Sequence, residues 1–291
     1  MDIVLGTAQF GMKYGVTNKV GQTPKDEITK ILSYIKSKGF NQIDTAPAYG
    51  DAESILGECD LNGLEIISKT LQCPNEIITE KDIEDIQESV DISLENLGKE
   101  KLHGILIHNI ADCYKTGANK IFEVLYKLKG ENKVEKIGVS VYELQDIEML
   151  LENNYYVDII QLPLNILDQR IYKSGILKRL KEKNIEIYVR SIFLQGILLA
   201  DENSIENPEI TKRVQPYFRE LEKNNLTKLE GAIYFISRIP EIDHLVLGVN
   251  NLKQLIEIYQ VFNKVEKLPC NLMDFSEFAV NEEQLIDPRR W

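Results

Sequence analysis

Eight short apolar runs, each followed by a longer stretch of helical period, constrain this chain more than any other feature. The runs are Ile3–Thr7, Gly39–Asp44, Leu64–Ser68, Gly104–His108, Lys136–Ser140, Ile159–Leu162, Ile185–Ser191 and Leu245–Gly248. Several, such as Ile105-Leu106-Ile107 and Ile159-Ile160, are apolar at consecutive positions, as strands buried on both faces of a parallel sheet should be. The intervening stretches are amphipathic. Thr23-Pro24 opens one that runs to Lys38, with Thr23 as cap and Pro24 at the first helical position. Ile83, Ile86, Val90, Leu94 and Leu97 stripe another that stops at Gly98, and Ile121, Val124, Leu125 and Leu128 stripe a third that ends at Gly130. Asp168 to Asn184 and Asn251 to Phe262 carry similar stripes. Eight strand–helix units predict a closed (β/α)8 TIM barrel with its active site at the carboxyl ends of the strands. An open doubly wound sheet would want a Gly-rich phosphate loop after an early strand, and no G-x-G-x-x-G occurs.

A single domain over residues 1–291 follows, since no repeat, linker or low-complexity segment interrupts the pattern. Two segments exceed what the barrel needs. Gly196 to Asn225 forms a long connection with a helix expected around Glu209 to Glu222, and Val265 to Trp291 forms a C-terminal tail. Long connections of this kind usually build or cover a site. The net charge of −12, from 34 Lys and Arg against 46 Asp and Glu, argues against nucleic acid and anionic membrane as partners. No apolar run reaches the ~18 residues of a membrane span, and no leader-like basic-then-apolar start is visible. The four cysteines (Cys59, Cys73, Cys113, Cys270) lack metal-like or disulfide-like spacing, and the three histidines do not cluster. A reduced, cytoplasmic, metal-free protein is expected.

The carboxyl ends of three neighbouring strands carry the proton chemistry. The second strand ends at Asp44, and Tyr49 follows in a loop shaped by Pro47 and Gly50, with Asp51 placed to cap the next helix. The third ends in Ser68-Lys69 and the fourth in His108. Each residue alone has a bland reading as a cap, a solvated charge or a structural imidazole. Together on one rim they form a coherent set. A tyrosine titrates near ~10, and a lysine ammonium beside its oxygen would stabilise the phenolate and lower that value. Asp44 would hold Lys69 charged, His108 would orient a substrate oxygen, and Tyr49 would serve as general acid for carbonyl reduction.

These residues resemble the aldo-keto reductases. The resemblance begins at Leu5-Gly6-Thr7-Ala8-Gln9-Phe10-Gly11 and continues through Asp44-Thr45-Ala46-x-x-Tyr49-Gly50-x-x-Glu53, Ser68-Lys69-Thr70 and Leu106-Ile107-His108-Asn109. It implies a barrel carrying an Asp, Tyr, Lys and His tetrad, and a nicotinamide dinucleotide bound without a Rossmann fold. Ile137-Gly138-Val139-Ser140-Val141 is similar to a segment whose Ser and Asn hold the nicotinamide carboxamide; Ser140 is kept and Val141 replaces the Asn. Gln161 matches a second carboxamide ligand. Arg190-Ser191-Ile192-Phe193-Leu194-Gln195-Gly196 resembles the segment that wraps the pyrophosphate, with Ser191, Gln195 and Gly196 matching. Arg190 stands where a nicotinamide-stacking aromatic is common, and reads either as a stacking guanidinium or as a surface arginine. Gly248-Val249-Asn250-Asn251-Leu252-Lys253-Gln254 is similar to the segment that grips the adenosine 2′-phosphate, and Gln254 matches an adenosine contact. NADPH is the cofactor the resemblance implies. Asn250 and Asn251, in place of arginine, leave NADH open, because a phosphate dianion is best held by charge-assisted bonds.

Phe10, Met12, Tyr14 and Phe193 are candidate pocket walls or core residues, and His103 and His244 fall at the opposite rim. The tail, ending Asp287-Pro288-Arg289-Arg290-Trp291, either covers the pocket or docks on the barrel's outside. Two functional classes stay open: a reductase acting on an aldehyde or ketone, and a cofactor-binding regulatory or accessory subunit. The tetrad favours the first, since binding alone does not require Lys69, His108 and Tyr49 together. The opening and closing segments are similar to bacterial family members linked to surface-sugar biosynthesis, which implies a sugar-derived carbonyl as substrate. Oligomeric state is not legible.

Overall fold

Consecutive apolar residues on a strand must find apolar partners on both sides, and a sheet closed on itself inside a ring of helices supplies them. A computed structural model describing residues 1–291 has this form. The first half runs β1 (Asp2–Gly6), α1 (Ala8–Gly11), α2 (Lys25–Ser37), β2 (Gln42–Asp44), α3 (Ala52–Gly57), β3 (Glu65–Lys69), α4 (Glu80–Leu97) and β4 (Leu102–Ile107). It continues through α5 (Asn119–Gly130), β5 (Val134–Ser140), α6 (Leu144–Glu152), β6 (Ile159–Pro163), α7 (Arg170–Lys173), α8 (Ile176–Glu182) and β7 (Glu186–Arg190). The last elements are α9 (Pro208–Lys223), α10 (Lys228–Ser237), β8 (His244–Gly248), α11 (Leu252–Val265) and α12 (Glu283–Ile286). All eight strands are parallel and paired in sequence order, and β8 closes on β1 through Gly6 opposite Gly248.

Val4, Ile67, Leu106, Ile159 and Tyr188 fill the barrel interior as a separate small core, while the main core lies between sheet and helices. At the amino-terminal rim, His103 and His244 sit among Glu65, Glu135 and Glu186, away from the strand ends that carry Asp44 and Lys69.

Local signals explain most helix limits. Thr79 and Asp82 form a capping box at the start of α4, and Gly98 ends it with φ +60°. Three local expectations need correction. The Thr23 side chain does not cap α2: its hydroxyl donates to the Asn250 carbonyl, and the helix begins after Pro24. Asp51 occupies the residue before α3 without a side-chain cap bond. The stripe from Asp168 to Asn184 is two helices, because Gly175 at φ +77° breaks it between α7 and α8.

The tail after α11 packs on the barrel. Met273, Phe275, Val280 and Ile286 are buried, the Val280 amide donates to the Leu167 carbonyl at 2.7 Å, and the Gln169 side chain donates to the Phe275 carbonyl at 2.7 Å. No helix is long and apolar enough to cross a membrane.

Candidate active site

The loop carrying Tyr49 is fixed by backbone contact before any side chain is considered. A Cβ on Gly11 would lie 1.7 Å from the Tyr49 carbonyl oxygen, so α1 can seat this loop only through glycine. Gly50 turns with φ +58° and faces the Gly11 carbonyl in return. Tyr49 therefore projects at the carboxyl rim beside the ends of β2 and β3.

Behind it lies a buried ion pair. Lys69 Nζ donates to Asp44 Oδ1 at 2.7 Å and to the Thr45 carbonyl at 2.9 Å, with both side chains almost fully enclosed. The same Nζ is 5.0 Å from the Tyr49 ring centroid. The second carboxylate oxygen of Asp44 accepts from Gln161 Nε2 at 2.8 Å. One carboxylate thus orients both Lys69 and Gln161, and leaves the Gln161 carbonyl oxygen free as an acceptor. His108 packs edge-on to Tyr49, with centroids 5.8 Å apart, and its backbone amide donates to Thr70 Oγ1.

The electrostatics correct one expectation. The Tyr49 phenol lies well above its ordinary value, first because burial disfavours the phenolate and next because Asp44 is close. Lys69 is pushed below its ordinary value by burial, against the pull of Asp44. The one cation that lowers the phenol's value is Arg190, and burial and Asp44 outweigh it. His108 is pushed down to about 4 by burial and by Lys69, so its imidazole is neutral near pH 7.

A cavity of about 610 Å³ opens at this rim. Its walls include Asp44, Tyr49, Gln161, Arg190, Ser191, Gln195, Gly196, Gly248, Asn250 and Gln254. Lys69, His108 and Ser140 do not line it: Lys69 lies behind Tyr49, Ser140 is buried, and His108 stands at Tyr49's flank. Arg190 stacks on the Tyr142 ring at 4.1 Å from its centroid and donates to the Val141 carbonyl at 3.0 Å. The Arg289 guanidinium of the tail stacks on that same ring at 3.5 Å. The tail thereby reaches the rim at the end of β5. After β7 the chain takes unusual backbone angles, with positive φ at Ser191, Leu194 and Gln195 as well as Gly196. Such conformations concentrate at ligand clamps.

Several wall residues were not singled out by sequence. Thr7 follows β1, Gln9 lies on α1 and Thr17 and Asn18 on the loop after it, while Thr227 and Lys228 come from the start of α10 and Glu257 from the second turn of α11. The loop after β1 meets the loop after β7, where Thr17 Oγ1 donates to the Gln195 carbonyl at 3.4 Å and a Cβ on Gly196 would strike Thr17 Oγ1 at 2.0 Å. Gln9, inside the opening Gly-Thr-Ala-Gln-Phe-Gly segment, was the one with a readable signal. Of the proposed aromatic walls, Tyr14 and Phe193 line the cavity, whereas Phe10 belongs to the core. Lys253 lies exposed on α11, outside the cavity.

The closed parallel barrel, with its proton-carrying cluster at the carboxyl rim, defines a (β/α)8 enzyme class. The profile of the aldo/keto reductase family matches residues 2–270, and the chain belongs to that family of oxidoreductases. Among solved structures, a Pseudomonas aeruginosa protein assigned as an aldo-keto reductase is similar with a TM-score of 0.67 and 19% identity, over 91% of this chain and 90% of that one. The glycerol dehydrogenase of Gluconobacter oxydans gives a TM-score of 0.68 and 20% identity, over 91% and 89%. A comparison with curated protein sequences returns no significant match.

Proposed function

We propose that this chain reduces an aldehyde or ketone to an alcohol with a nicotinamide dinucleotide, using Tyr49 as the proton donor. The observation that carries this reading is the Tyr49 phenol at the cavity mouth, with the buried Lys69–Asp44 pair 5.0 Å behind its ring. Burying an ion pair costs several kcal/mol in desolvation. A barrel that only bound a ligand would have no need of that cost, which favours the reductase over a regulatory or accessory subunit.

The residues suit a dinucleotide. The cavity is in the size range of cofactor sites, and a Cβ on Gly248 would collide with the Gln9 side chain at 2.6 Å, so this wall is cleared to its backbone. Asn250 Oδ1 is buried without a donor. Gln161 and Arg190 would hold the nicotinamide end, with Ser140 enclosed beside Gln161 at the end of β5 and outside the cavity wall; Ser191, Gln195 and Gly196 would hold the pyrophosphate, and Gly248, Asn250 and Gln254 the adenosine end. NADPH is the family expectation, with NADH as the alternative. The cofactor, when bound, supplies the hydride.

The chain's own groups handle the proton. Tyr49 rests protonated, because its phenol lies well above the ordinary value. It is therefore charged with the proton that the carbonyl oxygen requires. Neutral His108 donates a hydrogen bond that orients this oxygen, since its low pKa keeps the imidazole uncharged. After transfer, the phenolate lies next to the Lys69 ammonium, which Asp44 holds in place. A polar, sugar-derived carbonyl is the proposed substrate class. The fold shared with a glycerol dehydrogenase makes glycerol a useful alcohol to test in the reverse direction.

Tyr49→Phe is the decisive variant. Carbonyl reduction should fall about 10²- to 10⁴-fold, the usual worth of a positioned general acid, while dinucleotide affinity stays within about threefold because the hydroxyl makes no cofactor contact in this scheme. Retained turnover would remove Tyr49 from the role of donor. Binding measured by calorimetry separates that result from a loss of the site.

A further inference from the structure

The acid that closes the Asp44-to-Glu53 segment takes no part in the proton transfer itself, yet no other buried acid of the chain is set like it. Glu53 lies in the first turn of α3 and is 3% exposed. Its carboxylate oxygens accept from Ser68 Oγ at 2.6 Å and from Ser93 Oγ at 3.0 Å, which ties α3 to β3 and α4. Neither a cation nor a backbone amide reaches it. Every other buried carboxylate has one or the other. Lys69 holds Asp44, Lys115 holds Asp112, Arg170 holds Asp168, Lys264 holds Glu230 and Arg289 holds Asp287, while backbone amides hold Asp82 and Asp146.

A carboxylate taken out of water needs a compensating charge, and two hydroxyls supply none. Both serines donate, so both oxygens act as acceptors, which is the bonding of the ionised form. The cation whose charge acts on Glu53 is Lys69. Successive residues of a strand point to opposite faces. Ser68 shares the outer face of β3 with Ile66 of the main core, and Lys69 shares the inner face with Ile67 of the barrel interior. The end of β3 therefore has a carboxylate on each side: Asp44 against Lys69 within the barrel, and Glu53 against Ser68 outside it. The charges acting on Lys69 are Asp44 and Glu53, which favour the ammonium, and Arg190, which opposes it. Tyr49 and His108 stand beside it on the rim. Burial pushes Glu53 up and Lys69 down, so each offsets part of the cost of burying the other.

We propose that Glu53 is a positioning residue for the proton donor: from outside the sheet it keeps Lys69 an ammonium while Tyr49 gives up its proton, so that the phenolate forms against a cation. This role rests on the reading of Tyr49 as the donor.

Lysine labelled with carbon-13 at Cε reports the charge of Lys69 in the free chain without any turnover, and Lys69→Met identifies its resonance. In Glu53→Gln, whose amide keeps a partner for each serine, the Lys69 midpoint should fall by about 0.5–1 pH unit, an about three- to tenfold weaker hold on the proton. The alkaline limb of kcat/KM for NADPH-dependent reduction of glyceraldehyde should move down with it. Ser93→Ala removes a hydrogen bond but no charge, so it should lower the denaturant midpoint and leave the Lys69 titration within about 0.2 pH unit of the parent. Should Glu53→Gln fail to fold, the triple variant Glu53→Met, Ser68→Ala, Ser93→Ala replaces the network by apolar groups of similar shape and carries the same expectation. A Lys69 midpoint unmoved by loss of the Glu53 charge in a folded variant overturns the proposal and leaves Glu53 as a tie between α3, β3 and α4. A lowered midpoint with an unmoved limb overturns the link to proton transfer. A lowered midpoint in a chain whose parent turns over no carbonyl removes the reductase reading and the positioning role with it, although the charge coupling stands.

Discussion

Tyr49 and His108 show how far residue chemistry can be read before coordinates. The spacing placed both on one rim and linked Lys69 to Asp44, and the 2.7 Å ion pair agrees. The direction of the Tyr49 shift was not legible, because it depends on burial and on which neighbour uses the ammonium, and neither is written in local sequence. Gln161 shows the same limit, since its bond to Asp44 joins residues 117 positions apart. The depressed His108 makes a prediction with a definite sign. Its folded value, about 4, lies below the ordinary 6.5. Between those two values the unfolded chain binds the extra proton, so stability is lost as the pH falls through this window. His244, also lowered by burial, adds to the same slope. Denaturant midpoints measured from pH 7 to pH 4 should therefore decline less steeply in His108→Gln than in the parent. An identical slope would mean that His108 titrates normally in the folded state.

Elements were legible wherever one rule decided them. The eight strands announce themselves because a strand packed inside and out has no room for polar alternation. The stop of α4 at Gly98 and the start of α11 after Asn251 follow from capping chemistry alone. The break at Gly175 was missed because the apolar stripe carries on across it, and a glycine within a stripe is commonly tolerated. The loop after β1 was missed as a cavity wall for a different reason. Its polar residues acquire a role only through contact with the loop after β7, far away in sequence. Its neighbour α1 makes the sharper prediction. Gly11→Ala forces a methyl into the Tyr49 carbonyl and should destabilise the fold by about 1–3 kcal/mol, the usual cost of overpacking. It should also lower kcat more than it weakens dinucleotide binding, since Tyr49 moves while the far cavity wall does not. Urea denaturation together with single-turnover kinetics separates the two effects.

At the scale of the whole molecule, the barrel is a closed sheet whose last piece of cover is the tail. Met273, Phe275, Val280 and Ile286 are each at most 9% exposed. Each contributes roughly 1.5–3 kcal/mol of burial, and together they approach the roughly 5–15 kcal/mol that holds a typical domain folded. Removing residues 266–291 should therefore yield chain that is largely insoluble, as judged by soluble expression and circular dichroism. Arg289→Ala should instead fold normally and disturb only the rim around Tyr142. A folded, monodisperse truncation would show the tail to be an ornament on a self-sufficient barrel. Sequence alone had left the tail's position open, because its anchors on Leu167 and Gln169 lie more than a hundred residues upstream.

The contact between Thr17 and the Gln195–Gly196 backbone has a consequence in time as well as in space. Two loops that line the same cavity and also touch each other bridge whatever lies between them. A long ligand threaded there cannot leave sideways until that bridge parts, whereas a small molecule at the Tyr49 mouth comes and goes without disturbing it. In the proposed scheme this arrangement would have the large partner enter first and depart last, which product-inhibition patterns and the rate of dinucleotide release would reveal.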